Sequence, residues 1–302
     1  MKYYKIVLIL LIVATAEMLA QDGGQAGAFL RRDVDSRALS FGGAYTSVTD
    51  GASSVYWNPA GLNGITNNEF SAMFSTLSLD RQEYFAAYGH SFGWGFSVGA
   101  GWYRFGVNNI DGRDNTGQKT KMFDDSENSF MLGLSKEFRL TDLGKFSVGL
   151  TAKYLNHSLY DNSANGFGVD IGVMTTVLEM VRVGFVVQDI SSNLKWNTGN
   201  ETSEDVPMTM RLGASIYPKF FPFALSVDLV KVKDSDIVFK FGAGTQIVKY
   251  LGLKAGYNGN NPTFGAFLWY PLVGIVFQLD YAATKDVLQD SYIHHISLAL
   301  RF

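Results

Sequence analysis

The 302-residue sequence contains 0 Cys and only 6 Pro. The first absence excludes disulfides, thiolate metal sites and a lipid-anchored amino-terminal cysteine, so backbone pairing and packing must hold the chain together. No apolar run in the sequence is long enough for a membrane helix, and the one near its start, Ile6 to Ala14, is too short to span a bilayer. Excess positive charge is also missing: 25 Lys and Arg against 28 Asp and Glu give a formal net charge of -3, which leaves no basic footprint for nucleic acid. No G-x-S-x-G occurs, and the glycines from Gly89 to Gly101 sit in a strand pattern rather than opening a helix. The sequence therefore reads as a non-enzyme without a cofactor.

What is abundant points to strands. The 23 Phe, 15 Tyr and 32 Gly suit pleated surfaces joined by tight turns. From about Glu69 onward, apolar residues alternate with polar or small ones, the period of a strand with unlike faces. Phe146, Val148, Leu150, Ala152 and Tyr154 share one face, with Ser147, Gly149, Thr151 and Lys153 opposite. Met208, Met210, Leu212, Ala214 and Ile216 likewise oppose Thr209, Arg211, Gly213 and Ser215. About fourteen such segments can be counted, an even number as bacterial barrels require. The two longest connections, Asn108 to Ser126 and Ser191 to Val206, follow odd-numbered segments, consistent with long loops on one side and short turns on the other. The expected fold is all-β: a transmembrane antiparallel β-barrel of about 14 strands with an N-terminal plug segment. Its apolar face meets lipid, its polar or small face meets the lumen, and Trp94, Trp102, Tyr103, Trp269 and Tyr270 supply interface aromatics.

Ahead of the strands, Lys2 and Lys5 precede an apolar run from Ile6 to Ala14 and then small residues, the order of a secretory signal peptide. Cleavage after Ala14-Thr15-Ala16 and cleavage after Ala20 both remain open. The expected division is a signal peptide over 1–20, a plug or hatch over 21–67 and an outer-membrane barrel over 68–302. Within the plug, Gly42 and Gly43 allow close backbone approach, Asn58-Pro59 sets a turn, and Tyr56-Trp57 with Phe41 and Leu62 suggest packing against something large.

The ordered series Gly27-Ala28-Phe29-Leu30, Arg37-Ala38-Leu39, Gly42-Gly43-Ala44-Tyr45 and Tyr56-Trp57-Asn58-Pro59-Ala60-Gly61-Leu62 resembles the PorV/PorQ family, relatives of the FadL-like outer-membrane transporters. The resemblance implies a plug inside a fourteen-stranded barrel, with Asn58, Pro59 and Ala60 as its characteristic turn and Ser36 to Gly64 closing the lumen. It also implies an accessory role in type IX protein secretion or surface attachment, with secretion-system components or exported cargo as partners. The alternative is FadL-like uptake of a hydrophobic small molecule such as a long-chain fatty acid, with Gly93 to Gly106 as a candidate irregular wall for lateral exit. Outer-membrane lipid is the surrounding partner in either case.

Asp111, Asp114, Asp124, Asp125 and Glu127 lie close in sequence, so a calcium site and a merely solvated acidic loop are both open readings. His294 and His295 are strand neighbours and point to opposite faces, as do His90 and Ser91, so neither pair forms a metal or catalytic unit.

Overall fold

The computed structural model describes residues 25–141, 144–177, 179–199, 202–218, 222–286 and 288–302; the expected signal peptide, 1–20, lies outside the described residues. Sixteen strands occur among them: β1 (Asn68–Thr76), β2 (Arg81–Ser91), β3 (Phe96–Arg113), β4 (Lys119–Thr141), β5 (Gly144–Leu159), β6 (Asn162–Val177), β7 (Val181–Ile190), β8 (Asn193–Trp196), β9 (Ser203–Asp205), β10 (Thr209–Ile216), β11 (Phe223–Val232), β12 (Ile237–Val248), β13 (Leu251–Tyr257), β14 (Pro262–Leu272), β15 (Ile275–Lys285) and β16 (Tyr292–Arg301). Fourteen of them pair antiparallel around a closed ring, with β7 beside β10 and the ring shut by β1 against β16, Glu69 opposite Arg301. Closure leaves no free edge in hydrocarbon, the condition a lipid-spanning sheet must meet.

Alternation sets the two faces. On β5, Leu150 is exposed to the outside while Thr151 and Lys153 are buried within. On β10, Met210 and Leu212 face out and Thr209, Arg211 and Ser215 face in. An outward belt of Leu, Ile, Val and Phe thus surrounds a polar or small inner wall, as an outer-membrane barrel requires.

Three expectations need correction. The stretch from Asn108 to Ser126 is largely strand: β3 and β4 continue past their neighbours as a two-stranded ribbon, and only residues 114–118 form the turn. The ribbon survives a bulge because Asn109, at φ 60°, donates its N–H to the Asp124 carboxylate at 2.8 Å. The stretch from Ser191 to Val206 contains the β8–β9 hairpin, which continues the ladder on the upper part of β6. Gly93 to Gly106 is not an irregular wall: β3 pairs without a break with β2 from Ser97 to Val107 and with β4 from Phe96 to Val107, and its register shifts lie beyond Val107.

Of the five expected interface aromatics, Trp94 is exposed in the β2–β3 turn, with Lys136 Nζ 5.1 Å from its ring centre. Trp102 faces outward and donates Nε1–H to Asn128 at 3.2 Å, and Tyr270 is exposed. Tyr103 and Trp269 belong elsewhere. Each is the strand neighbour of an outward residue and so faces inward; Tyr103 is fully buried, and Trp269 shares the inward register of Thr263.

Candidate functional site

The inner wall is filled by residues 25–67. This segment is built from four short pieces, Ala28–Arg31, Ser36–Leu39, Ser54–Trp57 and Pro59–Gly64, each of one or two helical turns. Such short helices are unstable alone. Their burial among inward strand residues supplies what local propensity cannot, and most positions from Phe29 to Leu62 are shielded from solvent.

Asn58 ends one turn and begins the next. Its side-chain oxygen accepts the Ala60 N–H at 3.2 Å, capping the Pro59–Gly64 turn, where Pro59 occupies a first-turn position that needs no donor. Its amide nitrogen donates to Thr46 O at 3.1 Å and to Val173 O of β6 at 3.3 Å. Asn58 therefore ties two parts of the segment to the wall. Tyr56 donates its hydroxyl to Leu30 O at 2.8 Å and packs edge-on against Phe85 and Tyr103. Trp57 donates Nε1–H to Val34 O at 3.1 Å, meets Tyr45 edge-on, and lies under the Arg211 guanidinium at 5.1 Å.

Gly42 and Gly43 both have positive φ, 65° and 71°. A Cβ on Gly42 would strike the Tyr257 backbone of β13, and one on Gly43 would strike the Asp33 carboxylate and meet Lys240 Nζ at 2.7 Å. The reciprocal wall positions are glycines too. A side chain at Gly149 would collide with Ala60 N and Pro59 C, one at Gly172 with the Asn58 side chain, and one at Gly256 with Gly42 N. At Gly184 and Gly213 it would come within 2.6 Å and 2.9 Å of Thr46, and at Gly101 within 2.8 Å of Val55. Many of these glycines sit directly across a ladder from one another, as Gly99 and Gly133, Gly149 and Gly172, Gly184 and Gly213, and Gly242 and Gly256 do. A girdle without side chains thus runs around most of the inner wall, and the segment rests in it backbone to backbone.

Charge distribution divides the interior. Toward β2–β4 the segment meets an apolar surface in which Val55, Leu62 and Phe29 pack with Phe85, Tyr103 and Met131. Elsewhere the contacts are buried ion pairs. Lys240 reaches Asp33 at 2.7 Å, and Lys153 bridges Asp170 at 2.9 Å and Asp189 at 2.8 Å. Lys254 holds Asp280 at 2.7 Å, and on the β2–β4 side one pair, Arg32 with Glu83 of β2, interrupts the apolar surface beside Tyr103, whose hydroxyl donates to Glu83 at 3.1 Å. Arg37 lies among Asp35 at 2.7 Å, Glu69 at 2.9 Å and the hydroxyls of Ser53 and Ser71 at 3.2 Å. Burial alone would raise the Asp35 carboxyl, but the Arg37 charge and its hydrogen bonds win and hold it below the ordinary value of 3.8. Pairing of this kind is what makes buried charge tolerable.

At the short-turn end the segment forms the floor of an open recess of about 1000 Å3. Ala60, Gly61, Asn63 and Gly64 line the floor, and the walls carry Glu137 with Lys145 at 3.3 Å and Asp50 with Arg182 at 3.4 Å.

The acidic residues of the ribbon do not converge. Asp111 pairs with Lys119 at 2.7 Å, Asp114 caps its own turn, Asp124 accepts from Asn109, and Asp125 bonds His157 at 2.9 Å. No group of three metal-binding side chains occurs among the described residues. His295 faces inward between Ser75 at 2.6 Å and Thr284 at 2.9 Å, whereas His294 faces out and bonds Tyr281.

No protein-family model and no curated protein matches this sequence. Solved structures do. The toluene transporter TodX of Pseudomonas putida is similar with a TM-score of 0.55 and 14% identity, over 89% of this chain and 97% of that one. A Pseudomonas aeruginosa FadL homologue is similar with a TM-score of 0.55 and 10% identity, over 89% and 98%. The CymD monoaromatic hydrocarbon channel gives 0.50 and 12%, over 87% and 95%. At such identities the likeness shows a shared fold alone, that of a closed antiparallel outer-membrane barrel.

Proposed function

We propose that this chain is an outer-membrane channel for hydrophobic small molecules, exported by a signal peptide over 1–20 and gated by a plug over 21–67 inside a barrel over 68–302. The reading is supported by the shared fold, since the similar structures are described as a toluene transporter and a monoaromatic hydrocarbon channel. The observation that carries the gate is how the inner segment is attached. Among the described residues its backbone-to-backbone hydrogen bonds are internal except at its end, where Asn67 O accepts the Ser91 N–H of β2 at 2.9 Å, and the wall holds the rest through side-chain bonds and packing rather than a strand ladder. Such an insert can shift without unpairing the barrel, with Asn58, Pro59 and Ala60 as its turn and Gly42, Gly43, Tyr56 and Trp57 as its packing surface.

The test is a reversible lock. Ser36 and Ser297 place their hydroxyl oxygens 2.9 Å apart, one on the plug and one on β16, and the chain has no other cysteine to interfere. In cells producing the Ser36→Cys, Ser297→Cys variant, uptake of labelled oleate or toluene should fall on oxidation and return on reduction. Uptake that ignores the lock removes the gate; uptake by the unsubstituted chain no greater than in cells without the protein removes the channel.

A second reading, a PorV/PorQ-like accessory of type IX secretion or surface attachment, is favoured by the motif series from Gly27 to Leu62 and by the densely filled interior. Native mass spectrometry of the protein gently extracted from its own membrane separates the two. Co-purified secretion components favour this reading, and a stoichiometric hydrophobic ligand favours the channel.

A further inference from the structure

The ring closes where the first strand meets the last, and that seam is where the inner segment makes its most concentrated polar contacts. On β1, Glu69 Oε1 accepts from Arg37 Nη1 at 2.9 Å, Ser71 Oγ accepts from Arg37 Nη2 at 3.2 Å, and Met73 Sδ accepts the Asp35 N–H at 3.1 Å. On β16, Ser297 Oγ accepts the Ser36 N–H at 2.8 Å and donates to Ser36 Oγ at 2.9 Å. Glu69 also spans the seam directly, its Oε2 accepting from Arg301 Nε at 2.9 Å. Three consecutive residues, Asp35 to Arg37, therefore grip both strands at once.

The two strands are remote in sequence, Glu69 and Arg301 being separated by 232 positions, whereas Arg37 and Glu69 are separated by 32. A contact between the segment and β1 closes a short loop and can form early; the pairing of β16 with β1 closes a very long one. Once Arg37 has bound Glu69, the Ser36 amide and hydroxyl are fixed beside the free edge of β1, where they bond a residue of the incoming β16. The glycine girdle adds a steric reason for this order. Gly149, Gly172, Gly242 and Gly256 touch the segment's own backbone or side chains so closely that no side chain would fit between. A segment fitted so tightly on several sides is more readily wrapped by a sheet than threaded into a finished ring.

We propose that residues 35–37 have a second function as an assembly clasp, on which the barrel closes by recruiting β16 to β1. In this role Arg37 and Ser36 are positioning residues that act before any solute is met, and the role holds whether the finished barrel transports or binds partners.

Disulfide trapping of the seam during folding tests it. Ala72 and Leu298 are outward-facing partners across β1 and β16, and Phe264 and Ala283 are outward-facing partners across β14 and β15, away from the seam. Cysteine pairs at each position, made separately, report seam and control pairing when the full chain is diluted from urea into phosphatidylcholine vesicles and samples are oxidised with diamide at intervals. With Ser297→Ala, which removes only the β16 half of the clasp, seam trapping should slow about tenfold, the size expected for losing a buried hydrogen bond needed in the slow step. Control trapping should keep its rate. Arg37→Met should slow the seam at least as much. If seam and control slow together, or if the seam keeps its rate in Ser297→Ala, the clasp is refuted and these contacts merely stabilise the finished barrel.

Discussion

Gly149 shows how little room the interior leaves. Its missing side chain would fall on the backbone atoms Ala60 N and Pro59 C, which cannot rotate away as a side-chain tip could. Gly149→Val should therefore cost at least the ~1–3 kcal/mol of an overpacked core, read as a lower temperature for loss of the compact band on electrophoresis. Gly199 has nothing within 4 Å of its Cβ position, and Gly199→Ala should leave that temperature unchanged. Arg37 is the opposite kind of residue, a buried charge whose partners depend on it. Arg37→Met strands Asp35 and leaves Glu69 with Arg301 as its remaining ion-pair partner, and should cost about 3–5 kcal/mol, measured by urea titration in vesicles. The same pair sets an acid dependence. Because the Asp35 carboxyl is held below its usual 3.8 in the folded chain, its stabilising effect is complete above that value and fades as pH falls through the lowered one. Unfolding should steepen below about pH 4, and Asp35→Asn should flatten that limb of the profile.

Among the described elements, the β3–β4 ribbon runs beyond the ladders of its neighbours and meets the β5–β6 turn only through side chains, Lys121 with Asp161 at 2.6 Å and Phe123 against Tyr160. Beyond Val107 on β3 and before Asp125 on β4, neither strand pairs with a neighbour outside the ribbon, and Asp111, Arg113, Lys119 and Lys121 line these edges. Charged side chains on an exposed edge deter pairing with other chains. Brief trypsin treatment of the reconstituted protein should cut at Arg113, Lys119 or Lys121 while the barrel keeps its far-ultraviolet β-signal and compact mobility, which mass spectrometry of the nicked product can verify. The β8–β9 hairpin differs from the ribbon because Leu194 and the nearby Val206 are buried and join the interior core beside Phe29 and Leu30.

At the scale of the whole molecule, a lipid-facing belt encloses a polar wall, and the inner segment satisfies that wall. Leu132 on β4 is 68% exposed in the protein alone, so in a membrane it is covered by lipid. Leu132→Arg should destabilise the inserted barrel by up to ~2–4 kcal/mol if it lies near the midplane, whereas Lys119→Ala on the ribbon should be neutral, both read from urea titrations in vesicles. The inner wall shows the reverse requirement. Lys153, Lys240 and Lys254 are tolerated there because each meets a carboxylate.

Period two in the sequence determined the fourteen strands of the ring and most of the faces: the alternating residues Phe146 to Tyr154 lie on β5, Gly144–Leu159, and Met210 and Leu212 point outward as the alternation required. It also placed Gly149 and Gly213 on the inner face, though nothing local says that they form one girdle with Gly242 and Gly256, since that adjacency is created by register between strands. The ribbon was misread as loop because a strand outside the membrane needs no apolar face, so its charged residues erase the signal. Tyr103 was misplaced for a related reason: an inner wall packed against a buried segment accepts aromatics as readily as a lipid interface does, and Trp269 meets Tyr250 rather than the interface. The seat of residues 25–67, the ion pairs that fix it and the grip of Asp35 to Arg37 on both closing strands were settled by tertiary structure alone. Each joins residues far apart in the chain, and only the closed ring brings them within bonding distance.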